Sequence, residues 1–174
     1  SVAVNGTVLK RPEAKIDTEQ DTVCFKGETA AYARYEYFML NKPAGVVCAT
    51  SDRQEKTVVD LIQDKKRDDL FPVGRLDKDT EGLLLVTNNG ELAHQLLSPK
   101  KHVDKVYFAR VRGTVTDEDI KMFSEGLDIG DEKKTLPAKL RIISSGEISE
   151  TEITIQEGRF HQIKRMFAAV GKEV

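Results

Sequence analysis

Residues 74–90 read GRLDKDTEGLLLVTNNG. Gly74, Arg75 and Asp77 precede a second glycine at 82, and the apolar run LLLVT, 83–87, is closed by Asn88, Asn89 and Gly90. A short apolar run bounded by turn residues predicts a buried central strand. A loop feeding such a strand is held rigidly at one end, which suits a catalytic side chain. Asp77 and Asp79 share this loop. On spacing alone, aspartates that cap turns and stay solvated are the simpler account.

Working outward, ELAHQLLS has helical spacing and Pro99 stops it. VDKVYFARVRG, 103–113, alternates and predicts a long strand. Thr116 caps DEDIKMFSEGL, whose acidic first turn suits a helix amino end. AKLRIIS and ETEITIQEG, 138–144 and 150–158, are alternating segments that can pair. RFHQIKRMFAAVG, 159–171, predicts an amphipathic helix with Gly171 as its cap, and GKEV then reads as the opening of another strand. Upstream, YFMLNK and GVVCAT flank Pro43-Ala44-Gly45 as two strands around a turn. TVVDLIQD, 57–64, suits a short helix begun by Thr57. VAV and TVL bracket Asn5-Gly6, a strong hairpin signal, and DTVCF offers one more strand.

These elements predict an α+β fold on a mixed, largely antiparallel sheet with flanking helices. Residues 1–30 are too few to form a domain alone, 31–36 read as a linker, and 37–174 form the main domain. Both ends are read as incomplete. With 39 % hydrophobic and 32 % charged residues, the 174-residue chain can bury one real core plus a small appendage. No apolar run approaches the ~20 residues needed to span a bilayer, and SVAVNGTVLK is not a signal peptide. Cys24 and Cys48 stand outside any CxxC spacing and read as reduced thiols of a cytoplasmic protein. His94 and His102 read as ordinary surface or packed residues.

The net charge of −2 argues, taken alone, against a nucleic-acid partner. Locally the balance differs. Residues 98–112, SPKKHVDKVYFARVR, set Lys100, Lys101, Lys105, Arg110 and Arg112 against the single acid Asp104, with Tyr107 and Phe108 interleaved. Cations with aromatics are what phosphate contact and base stacking require. In EGRFHQIKRMF, Arg159, Lys164 and Arg165 bunch with His161 and Gln162, although an exposed basic helix face would read the same way. The acids concentrate in 117–132 and 147–152, so one basic and one acidic face are expected.

At these residues a family becomes recognisable. GRLDKDTEGLLLVTNNG resembles the catalytic motif of the RsuA-type pseudouridine synthases, in which Gly-Arg-Leu-Asp carries the essential aspartate. FMLNKPAGVV, SPKKHVDKVYFARV and EGRFHQIKRMFAAVG match further segments in the right order. The resemblance covers roughly residues 37–174. VAVNGTVL and DTVCFKG resemble the second half of the small S-four RNA-binding domain that precedes the catalytic domain in this family. Phe-His-Gln-Ile-Lys-Arg-Met is similar to the branch that modifies 16S rRNA.

The resemblance implies site-specific isomerisation of uridine to pseudouridine in ribosomal RNA, free or in a ribosomal subunit assembly intermediate. It implies Asp77 as the catalytic carboxylate, nucleophile or base. Lys164 keeps it ionised, with Arg165 the second choice. Tyr107 lies flat against the extruded base, Arg75 fills the vacated space or holds a phosphate, and Leu76 and Leu85 wall the pocket. Lys100, Lys101, Lys105, Arg110, Arg112, Arg159, His161, Gln162 and Arg165 would meet RNA. The chemistry imports no group and changes no oxidation state, so no cofactor and no metal are expected. The sequence shows no phosphate-cradling glycine loop and no His/Cys ligand cluster. A monomer without membrane contact is expected. The alternatives are a catalytically inactive RNA-binding or ribosome-assembly module of the same fold and, less well matched, a glycosidase pairing Asp77 with Asp79.

Overall fold

The computed structural model describes residues 1–30, 34–101 and 103–174. Residues 31–33 of the expected linker, and His102, lie outside the described residues. The chain divides into two compact units, Ser1–Glu36 and Tyr37–Val174.

In the first unit, β1 (Val2–Val4), β2 (Thr7–Val8), β3 (Val23–Phe25) and β4 (Glu28–Thr29) form an antiparallel sheet in the order β2-β1-β3-β4. Asn5 and Gly6 both take positive φ, 48° and 81°, as a two-residue hairpin turn requires. Asn5 also donates from Nδ2 to Asp21 and accepts from the Thr22 amide, which ties the hairpin to β3. None of residues 1–30 is buried, so this unit has little core of its own.

The second unit contains two three-stranded antiparallel sheets. One comprises β5 (Tyr37–Lys42), β7 (Gly82–Thr87) and β6 (Phe71–Pro72), in the order β5-β7-β6. The strand at 82–87 is central, as expected, but not buried on both sides. Leu84 and Val86 are buried while Leu83 is 67 % exposed. An antiparallel sheet need cover only one face, and a continuous apolar run does not reveal that. Residues 46–50 do not extend a strand; Val47 makes a single parallel bridge to Thr57. The expected helix at 57–64 shrinks to one 3₁₀ turn, Val59–Leu61. Thr57, Val58 and Val59 are β-branched, and the Asp60 carboxylate accepts from the Thr57 amide and hydroxyl, both at 2.9 Å.

The other sheet joins β8 (Lys105–Arg112), β10 (Ile148–Ile155) and β9 (Lys139–Ser144) in the order β8-β10-β9. Among the described residues, the α-helices accompanying the sheets are α1 (Gly90–Leu97), α2 (Asp117–Glu125) and α3 (Gln162–Ala169). Thr116 and Asp119 form a capping box at the start of α2. Gly126 ends this helix where a Cβ would lie 2.4 Å from the Thr135 carbonyl oxygen, so glycine is required there. Gly171 follows α3 with φ 74°. Val111, Phe123, Ile153, Met166 and Phe167 are fully buried and bind α2 and α3 to this sheet. A second cluster of Val46, Val58, Leu70, Leu84 and Val86 lies under β5 and β7.

Candidate active site

The loop between β6 and β7 is fixed along its length. The Val73 amide donates to the Leu85 carbonyl at 2.7 Å, and the Leu76 amide points at Cys48 Sγ, 3.3 Å away. Thr80 closes a turn by donating from its amide to the Asp77 carbonyl. Leu76 packs against the second core cluster, while Leu85 shares a face of β7 with exposed Leu83.

A residue that sequence reasoning missed holds the loop from beneath. Lys42, the last residue of β5, is completely buried. Its Nζ donates to the carbonyls of Pro43 at 3.0 Å, Lys78 at 3.2 Å and Thr80 at 2.8 Å. The Gly45 amide adds a 2.7 Å bond to Lys78. Two of the lysine's acceptors flank Asp79 and follow Asp77 closely. A lysine before Pro-Ala-Gly reads as a solvated turn charge, so only the family-like segment FMLNKPAGVV could have drawn attention to it.

Above this tether Asp77 presents a side chain that is 26 % exposed. Lys164 Nζ lies 3.5 Å from its Oδ2, and His161 Nε2 lies 3.6 Å from its Oδ1. Lys164 is held more closely by Asp79, at 2.8 Å and 2.7 Å to the two carboxylate oxygens. Each partner responds: Lys164 holds Asp79 below the usual carboxylate range, and Asp79, with a smaller contribution from Asp77, raises Lys164 above the usual lysine value. Tyr107 is pushed above the ordinary phenol value, chiefly by burial and then by the negative charge of Asp77. Asp77, Lys164 and Tyr107 thus come from a loop, a helix and a strand to one place. Arg75 is exposed at its rim.

The residues expected to meet RNA divide. Gln162 is buried; its Nε2 donates to Glu157 Oε1 at 3.0 Å, and its Oε1 accepts from the Arg159 amide. Arg159 spends its guanidinium on Glu157, Asp131 and the carbonyls of Lys133 and Lys134. Arg165 turns to the Ile129 and Phe160 carbonyls and to Asp131. Arg159 and Arg165 tie residues 129–134 to the start of α3, and Gln162 bonds Arg159 and Glu157. The acceptors in 129–134 lie 25 or more positions away, which no local pattern reveals.

Strand alternation divides the other basic stretch. Tyr107, Ala109 and Val111 turn inward, whereas Phe108, Arg110 and Arg112 turn outward. Lys105 shares the Tyr107 side and donates to the Val103 carbonyl. Arg110 pairs with Glu150 and Arg112 with Glu173. The expected separation into a basic and an acidic face does not hold at this strand pair: Glu150 lies directly across from Arg110, and Glu173 pairs with Arg112. Lys100 and Lys101 sit apart in a 3₁₀ turn, Pro99–Lys101, and are exposed. Among the described residues no group of His, Cys, Asp and Glu side chains could hold a metal ion, and no helix is long and apolar enough to cross a membrane.

With this fold, and an aspartate loop facing a lysine-bearing helix, the chain matches the RNA pseudouridylate synthase family over residues 36–169. It belongs to that family and is an RNA pseudouridine synthase. Its relatives place it with the RsuA-type enzymes. It is 45 % identical over 177 residues to the uncharacterized RNA pseudouridine synthase YtzG of Bacillus subtilis, covering 100 % of this chain and 74 % of that one. It is 38 % identical over 174 residues to ribosomal small subunit pseudouridine synthase A of Escherichia coli K12, covering 99 % and 74 %. A crystal structure of a pseudouridylate synthase superposes with a TM-score of 0.74 at 37 % identity, covering 99 % and 74 %. The human RNA pseudouridylate synthase domain containing 1 shares the fold, with a TM-score of 0.57 at 19 % identity over 82 % of this chain and 64 % of that one.

Proposed function

We propose that this protein isomerises a specific uridine in 16S ribosomal RNA, with Asp77 as the catalytic carboxylate. The observation carrying this reading is the half-buried Asp77 with Lys164 and His161 within 3.6 Å. The small-subunit assignment draws on the likeness to small subunit pseudouridine synthase A and on the Phe-His-Gln-Ile-Lys-Arg-Met segment. The substrate is rRNA or an assembling ribosomal subunit, met in the cytoplasm by a monomer.

In the reaction the bond from uracil nitrogen to ribose breaks and the base turns. A ring carbon then bonds the ribose while that carbon's proton leaves, and the freed nitrogen ends protonated. The residues meet its requirements in turn. The uridine leaves its stack at a cost of a few kcal/mol, and Arg75 at the rim occupies the space or holds a phosphate. Tyr107 stays a neutral phenol and lies flat on the extruded base. Asp77 acts as nucleophile or base, and Lys164 keeps it ionised in a pocket that loses water when RNA closes it. Leu76 walls the pocket from the core side. No oxidant or imported group enters the balance.

The test is to map pseudouridine in rRNA from cells with the protein, without it, and with Asp77→Asn. One small-subunit pseudouridine should vanish in both altered strains. The amide retains the carboxylate's shape without its charge, so the purified variant should keep its fold and RNA affinity. Normal modification with Asp77→Asn would remove Asp77 from the reaction; a missing large-subunit site instead would overturn the 16S assignment.

A further inference from the structure

Beside the catalytic carboxylate stands an aromatic pair with no task in the fold. Phe160 is 69 % exposed and belongs to neither core cluster. It is stacked on His161, with centroids 3.8 Å apart and planes at 18°. His161 precedes α3 at the cap position, yet its side chain caps no amide, and its backbone is left-handed with φ 47°. A non-glycine residue adopts that conformation at some cost, and such residues cluster at functional sites. The turn sets the imidazole edge toward Asp77, with Nε2 3.6 Å from Oδ1, and its face against Phe160. One face of the Phe160 ring is therefore taken by His161, while the ring as a whole remains open to solvent at the rim of the site.

We propose that Phe160, backed by His161, is a stacking platform for the nucleobase next to the reacting uridine, and that it contributes to the choice of RNA. The inference rests on the reading of Asp77 as the centre of RNA modification. Single-stranded RNA is held by flat side chains that accept a base on an open face. Extruding one uridine also strips its neighbour of a stacking partner, and a fixed aromatic ring beside the site replaces it. His161 contributes by orienting the Phe160 ring rather than by offering a free face.

The test uses Phe160→Leu and Phe160→Trp in the intact chain, with two probes: a 16S rRNA transcript, and a short single-stranded RNA carrying 2-aminopurine beside a uridine. The side chain is largely exposed, so both variants should unfold at the wild-type temperature. Phe160→Leu should raise the enzyme concentration for half-maximal single-turnover modification about tenfold, as loss of one stacked base requires. Its saturating rate should be unchanged, and Phe160→Trp should restore wild-type behaviour. Wild type should quench 2-aminopurine and Phe160→Leu should not. An unaltered half-saturation point, or a loss confined to the saturating rate, overturns the platform. If wild type leaves the free transcript unmodified, turnover is measured on assembling ribosomal subunits instead, and modification of neither overturns the proposed function separately. The quenching experiment then decides the platform alone, and equal quenching by wild type and Phe160→Leu rejects it.

Discussion

Lys164 clamps Asp79 rather than Asp77: its Nζ reaches both Asp79 oxygens at 2.8 Å and 2.7 Å, and the nearer Asp77 oxygen only at 3.5 Å. Asp77, the carboxylate proposed to react, has a cation at hand that it does not own. Asp79 thus places the ammonium while leaving Asp77 free to react.

Lys164→Met should lower the saturating single-turnover rate by roughly tenfold or more, on the scale of losing one preorganised charge. Lys164→Arg should lose less, and Asp79→Asn should lower the lysine's own titration toward its ordinary value, read by NMR of its side chain. For stability, Asp79 is depressed, so its contribution is present at neutral pH and fades as pH falls through its low folded value. Lys164 is raised, so its contribution fades only as pH climbs past the ordinary lysine range. Both groups are substantially exposed, and screening keeps these contributions small. A full saturating rate in Lys164→Met would confine the lysine to RNA contact.

Tyr107 should titrate above the other tyrosines in an ultraviolet phenolate titration, identified by difference against Tyr107→Phe. Asp77→Asn should bring it part of the way down. Burial is the larger cause of its elevation and Asp77 the smaller, so a complete return to the ordinary value would contradict the packing around the ring. The neutral phenol is favoured in the folded chain, so its share of stability is lost as pH rises beyond the ordinary tyrosine value.

RNA binding should weaken with salt, at roughly −0.7 in log–log slope for each phosphate contact on single-stranded RNA. Lys100→Ala with Lys101→Ala should flatten that slope. Arg110→Ala with Arg112→Ala should not, because those side chains face away from Tyr107 and already pair with acids. Filter binding across a severalfold range of salt measures both. A slope that responds only to the arginine pair would move RNA to the outer sheet face.

Lys42→Met should destabilise the protein by about 3 kcal/mol in urea unfolding, since it leaves buried carbonyls without a donor. The saturating rate should fall as well, because those carbonyls bracket Asp79. A variant as stable and as active as wild type would show that the loop holds itself.

What the sequence disclosed was local. Asn5-Gly6 named its hairpin, Thr116 its helix start, and the alternation of 138–144 and 150–158 their pairing, because turn chemistry and side-chain period act over a few residues. The motifs also brought out Asp77, Tyr107 and Lys164, which the fold assembles from three elements. Non-local facts stayed hidden. Arg159 reads as part of a basic helix start, but its partners Asp131, Lys133 and Lys134 are supplied by the folded chain. The five cations of 98–112 read as one patch, and only the strand's two-residue period and the acids of β10 separate them. The run at 83–87 read as buried throughout, because apolar composition does not say which face is covered.

The lysine at the end of β5 also bears on how the protein comes apart. Its acceptors lie 36 and 38 positions downstream, so fraying of one edge strand releases the loop that carries Asp77. The larger core around Phe123 and Phe167 takes no part in that event. Amide hydrogens at 77–80 should then exchange through a partial opening shallower than global unfolding, and heat should silence turnover while much of the chain keeps its secondary structure.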